Sequence, residues 1–127
     1  MSATIGRLHR RPDYVRVARR GRKGVQPGLV LQVAPRPAGA EAPSALPGSD
    51  IRVGFTVTRK VGNAVIRNRV RRRLKAVAAE VLGARARPGF DYVVIGRKGA
   101  ERRAFGALKS DLERALGRLD PHRRSIE

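Results

Sequence analysis

The sequence predicts an α+β sandwich, one small mixed sheet with helices packed on it. Three observations carry that prediction. From Ile51 the chain alternates strictly: Ile51, Val53, Phe55 and Val57 face one side, and Arg52, Gly54, Thr56 and Thr58 face the other. Two longer stretches, after Gly62 and after Glu101, repeat apolar residues at helical spacing. Two short apolar runs, "GLVLQVA" and "DYVVIG", read as further strands.

In chain order, "RRPDYVRVARRG" is a short helix. Pro12 suits a first helical position, Asp13 complements the first-turn dipole, and Gly21 suits the exit. Tyr14 and Val17 share one of its faces. A strand from Gly28 to Ala34 follows. Residues 35–50, "PRPAGAEAPSALPGSD", are built from Pro, Ala, Gly and Ser without periodicity. They are expected to form a flexible loop, longer than an ordinary hairpin connection. The alternating strand then presents a half-buried face and a polar one. Asn63 caps a helix running to about Leu82, with Ile66, Val70, Leu74, Val77 and Val81 in a narrow stripe. A short buried strand starts at Asp91. "RRAFGALKSDLERALGRL" is a second amphipathic helix with Ala104, Leu108, Leu112, Ala115 and Leu119 inward. The order is helix, strand, strand, helix, strand, helix. The 127 residues are enough for a single domain, 1–127, with an ordered core at about 8–119 and a frayed tail at 120–127.

Charge limits the function. The chain has 29 Lys and Arg against 10 Asp and Glu, a formal charge of +19. Solubility needs a magnitude of only ~8 or less on a small domain, so the excess predicts a polyanionic partner. The chain has no Cys, which excludes disulfides and thiolate metal sites and permits a reducing cytosol. Its apolar runs are far too short to cross a bilayer, and the N-terminus has no apolar signal core. A cytoplasmic nucleic-acid-binding protein is the expectation, without membrane association.

The charge concentrates in "GNAVIRNRVRRRLK", Gly62 to Lys75, where six of fourteen residues are cationic. With Ile66, Val70 and Leu74 turned toward the sheet, Arg71, Arg72 and Lys75 project away with Asn68. Arg67 flanks the stripe on one side, and Arg69 and Arg73 on the other. The dipole near a helix N-terminus favours anions, so these cations gain nothing from the helix itself. Only Glu80 lies on the helix to pair with them. Arginine rather than lysine dominates, which suits bidentate phosphate contact and stacking on bases. Such a helix can read a DNA major groove or lie against folded RNA, and the wheel does not choose.

The run "RVGFTVTRKVGNAVIRNRVRRRLK", Arg52 to Lys75, resembles the signature of the bacterial ribonuclease P protein subunit, whose hallmark is an Arg-Asn-Arg helix. Here that triplet is Arg67, Asn68 and Arg69. "RPDYVRV" is similar to the family's first helix and "DYVVIGRKGA" to its later strand and exit, so the likeness spans roughly Leu8 to Leu119. The resemblance implies a ribosomal-protein-like sandwich with a left-handed βαβ crossover. It implies a partner to a catalytic RNA that removes the 5′ leader of precursor tRNA. That RNA, with bound Mg²⁺, would perform the cleavage, and no organic cofactor or obligate protein partner is implied. Arg67, Asn68, Arg69, Arg71, Arg72 and Lys75, preceded by Arg59 and Lys60, would face RNA. Tyr14, Thr56 and Thr58, supported by Val17, would form a cleft for the leader. Two positions depart from the family pattern: Ala18 and Gln32 stand where relatives often carry aromatics. Each loses base stacking, which can contribute roughly 1–3 kcal/mol per base.

Catalytic chemistry in the chain itself is not indicated. Asp111 and Glu113 are two helical positions apart and point to different faces. Asp91 stands alone at a strand start, and His9 and His122 sit near opposite ends. "GRKG" occurs at Gly21 and at Gly96 but lacks the spacing of a phosphate loop. A non-catalytic ribosomal protein and a DNA-binding helix protein are the alternative readings of the same charge.

Overall fold

The structure, a computed structural model, describes residues 5–36, 51–86 and 89–119. Its elements are β1 (Ile5–Arg7), α1 (Arg11–Arg20), β2 (Arg22–Val25), β3 (Leu29–Pro35), β4 (Ile51–Thr56), α2 (Ala64–Arg85), β5 (Phe90–Gly96) and α3 (Phe105–Leu119). The five strands form one mixed sheet in the order β1-β4-β5-β3-β2. β4 lies parallel to both β1 and β5, whereas β3 runs antiparallel to β5 and to β2. The α+β sandwich is therefore as predicted, with two additional strands.

Both additions have a physical reason. β1 is only three residues long and takes its order from parallel pairing with Ile51 to Val53 on β4. β2 carries "RKGV", a polar edge strand whose pairing partner is the apolar β3. Neither has enough apolar periodicity to announce itself. The loop expected at 35–50 begins after Pro35, since β3 pairs as far as Pro35 with Phe90. Most of that loop and the tail at 120–127 lie outside the described residues.

One sheet face is covered by α2 and α3. Between them and the sheet sit Leu29, Leu31, Val53, Leu74, Val77, Tyr92, Leu108 and Leu112, all buried. Burying such a side chain contributes roughly 1.5–3 kcal/mol. The α2 stripe packs as read, with Val70, Leu74, Val77 and Val81 buried and Ile66 partly so. Asn63 caps the helix, its side-chain oxygen accepting from the Ile66 amide at 3.0 Å. In α3 the inward stripe is Leu108, Leu112, Ala115 and Leu119. Ala104 falls outside it, exposed and before the first helical residue.

The opposite face is half-covered by α1. Leu8, Val17, Ala34 and Val93 form a small second core, edged by Tyr14 and Ile95. The second face of β4 is therefore not the open polar surface that alternation suggested. Arg52 and Gly54 on that face are buried, Thr56 is half-buried, and Thr58 lies beyond the strand.

Candidate nucleic-acid interface

The cationic residues of α2 follow from its register. Anchoring Val70 and Leu74 in the core turns Asn68, Arg69, Arg72 and Lys75 to solvent, while Arg67 and Arg71 are half-buried at the edges. Arg59 and Lys60 are exposed in the turn that precedes the helix. Asn68 accepts a hydrogen bond from Arg71 Nη1 at 3.1 Å, fixing that guanidinium on the outer face. Among the described residues none of these cations makes an ion pair. The helix's one acid, Glu80, is engaged by Lys109 of α3 at 3.2 Å. Arg73 departs from the group, because its guanidinium donates to the carbonyl of Arg103.

The predicted cleft residues come together less completely. Tyr14 projects from α1 onto β4, where its hydroxyl donates to the Leu8 carbonyl at 3.2 Å. Its ring lies so close to Gly54 that a Cβ there would meet ring atoms at 2.6 Å, so this approach requires glycine. Strand alternation and the pairing of Thr56 with Ile95 put both side chains on the α1 side of the sheet, where both are half-buried and Ile95 packs against the small core. Tyr14, Thr56 and Ile95 thus share the α1 side of the sheet, each half-buried. Val17 is fully buried in the small core against which Tyr14 packs. Thr58 is exposed in the segment after β4. Gln32 is half-buried, and Ala18 is exposed one turn beyond Tyr14.

The structure also assembles a group that sequence reasoning missed. Asp91, which seemed solitary, is fully buried and is the hub of an arginine cluster. Arg52 donates to it twice, Nε to Oδ1 at 2.8 Å and Nη2 to Oδ2 at 2.6 Å. Arg16 bonds the same carboxylate and also donates to the Pro35 carbonyl at 2.9 Å. Arg36 approaches Asp91 to 3.6 Å, and Asp13 lies 3.8 Å from both Arg16 and Arg52. The hydrogen bond to Asp91 raises the pKa of Arg52 above its ordinary value; burial opposes this, and the charges of Asp91 and Asp13 add to the rise. One signal lay in the sequence, since Arg52 occupies the second face of an alternating strand. Its partner did not, because the match of Arg52 to Asp91 depends on the β4–β5 register.

Asp13 and Asp91 converge on guanidinium groups, and Asp111 is engaged by Arg103 and the Gly28 amide. Among the described residues no group of three His, Asp or Glu side chains is placed to hold a metal ion. His9 is exposed between β1 and α1, and His122 lies outside the described residues. No helix among the described residues is long and apolar enough to cross a membrane. The geometry offers a cationic helix face and, on the α1 side of the sheet, a half-buried aromatic ring beside Thr56 and Ile95.

A family model described as Ribonuclease P matches residues 4–120. The ribonuclease P protein component of Paramagnetospirillum magneticum is 49% identical over 119 residues, covering 94% of this chain and 86% of the relative. That of Gluconacetobacter diazotrophicus is 47% identical, covering 91% and 92%. Among solved structures, the ribonuclease P protein from Thermotoga maritima superposes with a TM-score of 0.69 at 27% identity, over 88% of this chain and 96% of that one.

Proposed function

The chain belongs to the ribonuclease P protein family, and from that premise we propose how its surfaces divide the work. It is the RNA-binding subunit of ribonuclease P, and its partner is the ribonuclease P RNA. This reading is favoured over a ribosomal or DNA-binding role.

In the proposed arrangement α2 docks on the catalytic RNA. Arg67, Arg69, Arg71, Arg72 and Lys75 supply guanidinium and ammonium groups to its phosphates, Asn68 orients Arg71, and Arg59 and Lys60 extend the contact. The α1 side of the sheet receives the 5′ leader of precursor tRNA, with Tyr14 as stacking platform and Thr56 and Thr58 as hydrogen-bonding groups. Val17 lies in the small core against which Tyr14 packs. Bond cleavage belongs to the RNA, which also carries the Mg²⁺; Asp13, Asp91 and Asp111 are engaged by arginines and Glu80 by Lys109. The setting is the cytoplasm, where the precursor is made.

The observation that carries this reading is the row of unpaired cations on α2. Charges crowded on one helix repel one another, and among the described residues no acid compensates them. A phosphate backbone is the partner that turns this cost into affinity. The test is reconstitution. The purified chain is expected not to cut precursor tRNA by itself and to accelerate cleavage by the ribonuclease P RNA at low Mg²⁺. Cleavage by the chain freed of RNA, or no acceleration, would overturn the proposal.

A further inference from the structure

The turn between β5 and α3, residues 97–103, reads "RKGAERR". Short exposed turns of this kind are ordinarily mobile, but this one is fastened at five points. The Arg97 amide donates to the Gly28 carbonyl at 3.2 Å, and Arg97 Nη1 donates to the Gln26 carbonyl at 2.9 Å. Ala100 is fully buried in the main core. Arg103 donates twice to Asp111, at 2.7 and 3.0 Å. Arg73 of α2 donates to the Arg103 carbonyl.

Asp111 is the centre of this fastening. It is fully buried on α3, and its Oδ2 also accepts the Gly28 amide at 3.0 Å. The hydrogen bond to Asp111 raises the pKa of Arg103. Gly28 leaves no room for another residue: a Cβ there would lie 2.7 Å from Arg103, Asp111 and Leu108 alike. One buried carboxylate thus ties the β2–β3 turn, the 97–103 turn and α3 together.

The pinned turn presents cations. Lys98 is exposed, and the Arg102 side chain is 87% exposed. The turn's only acid, Glu101, is largely buried, with 10% of its side chain exposed, and lies 3.5 Å from Arg102 Nε, too long for a hydrogen bond, while the Arg102 side chain itself stays in solvent. The turn is also next to the cations of α2. Arg73, whose guanidinium reaches it, shares its side of the helix with Arg69 one turn earlier. β4 and β5 are parallel neighbours, so Arg59 and Lys60 after β4 leave the same sheet end as Lys98 and Arg102 after β5.

We propose that the 97–103 turn is a second part of the surface for the ribonuclease P RNA. Lys98 and Arg102 are its phosphate-contacting cations, and Asp111 is the positioning residue that holds them beside α2. The inference rests on the function proposed above and adds residues outside the Arg-Asn-Arg helix. It also gives Arg73 a different task from its neighbours, since Arg73 holds the turn.

The affinity of the full chain for the ribonuclease P RNA, measured against salt concentration, tests this. Wild type is compared with Lys98→Ala/Arg102→Ala, Asp111→Asn and Arg67→Ala/Arg72→Ala. Two lost phosphate contacts should lower the slope of log affinity against log salt by about 1.4–1.8 in the turn variant, with its unfolding midpoint unchanged. Asp111→Asn should weaken binding in the wild type and add nothing further in the turn variant, as expected of a residue acting through the turn. An additional loss in that background overturns the positioning role. If Asp111→Asn does not fold, the turn variant decides alone, since both of its substitutions are on exposed side chains. An unchanged slope in the turn variant beside a reduced one in the helix variant overturns this inference and leaves the proposed function standing. Unchanged slopes in both overturn both. Unaltered RNA affinity with weakened binding of precursor tRNA to the assembled enzyme also overturns it, assigning the turn to substrate.

Discussion

Two groups of arginines in this chain have opposite fates. Arg16, Arg36 and Arg52 gather around Asp91 inside the fold, whereas Arg67, Arg69, Arg71 and Arg72 line α2 with no acid to answer them among the described residues. The side-chain type is the same and the density of charge is similar. The difference is one buried carboxylate. Where an aspartate is present the guanidinium planes are spent on joining α1, β3, β4 and β5. Where none is present the charge remains available to a partner. A net charge of +19 counts both groups alike, so it overstates the binding surface and hides the structural one.

The sharpest way to break that comparison is to remove the carboxylate. Asp91→Ala would leave three largely buried guanidinium groups with, among the described residues, only Asp13 near two of them, and it should cost about 3–5 kcal/mol of folding stability in urea unfolding. A loss below ~1 kcal/mol would mean the cluster is no more structural than the helix face. Arg72→Ala should do the reverse, lowering RNA affinity about tenfold, or ~1.4 kcal/mol, while stability stays within ~0.5 kcal/mol. Asn63→Ala removes the cap that fixes the start of α2 and should cost about 1 kcal/mol in thermal unfolding. Tyr14→Phe deletes one hydrogen bond to the Leu8 carbonyl and keeps the ring, so a loss of ~1 kcal/mol or less is expected, with leader preference retained. The smallest effect is that of alkaline pH. A raised Arg52 pKa means its contribution is complete below the ordinary value and fades only above it. The stability gap between wild type and Asp91→Ala should therefore stay constant from about pH 7 to 10.

Most of this architecture was legible in the sequence because its helices and central strands have a periodicity that survives folding. The α2 stripe and its Asn63 cap are local facts of one helix and appear in the structure as read; of the cations opposite, Arg72 and Lys75 are exposed as expected, whereas Arg71 is half-buried and Arg69, expected at the edge of the stripe, is exposed. β1 and β2 were not legible: both are short and lack apolar alternation, and β1 takes its order from Ile51 to Val53, far along the chain. The Asp91 cluster was hidden for a related reason. Its members include Arg16 and Asp91, 75 positions apart, and they meet only once α1, β3, β4 and β5 are assembled. Asp111 was seen as a helical residue pointing away from Glu113, but its tie to Gly28 and Arg103 is tertiary. Linear pattern exposes what a helix offers to a partner, and it conceals what distant elements exchange.

The division of labour between the two arginine groups is tested most directly by one paired measurement on Arg67→Ala/Arg69→Ala/Arg72→Ala. Its affinity for the ribonuclease P RNA is followed against salt, alongside its unfolding curve. Three lost phosphate contacts predict a slope lower by about 2–3 with the unfolding midpoint unmoved. An unchanged slope, or a collapse of the fold, would contradict the account.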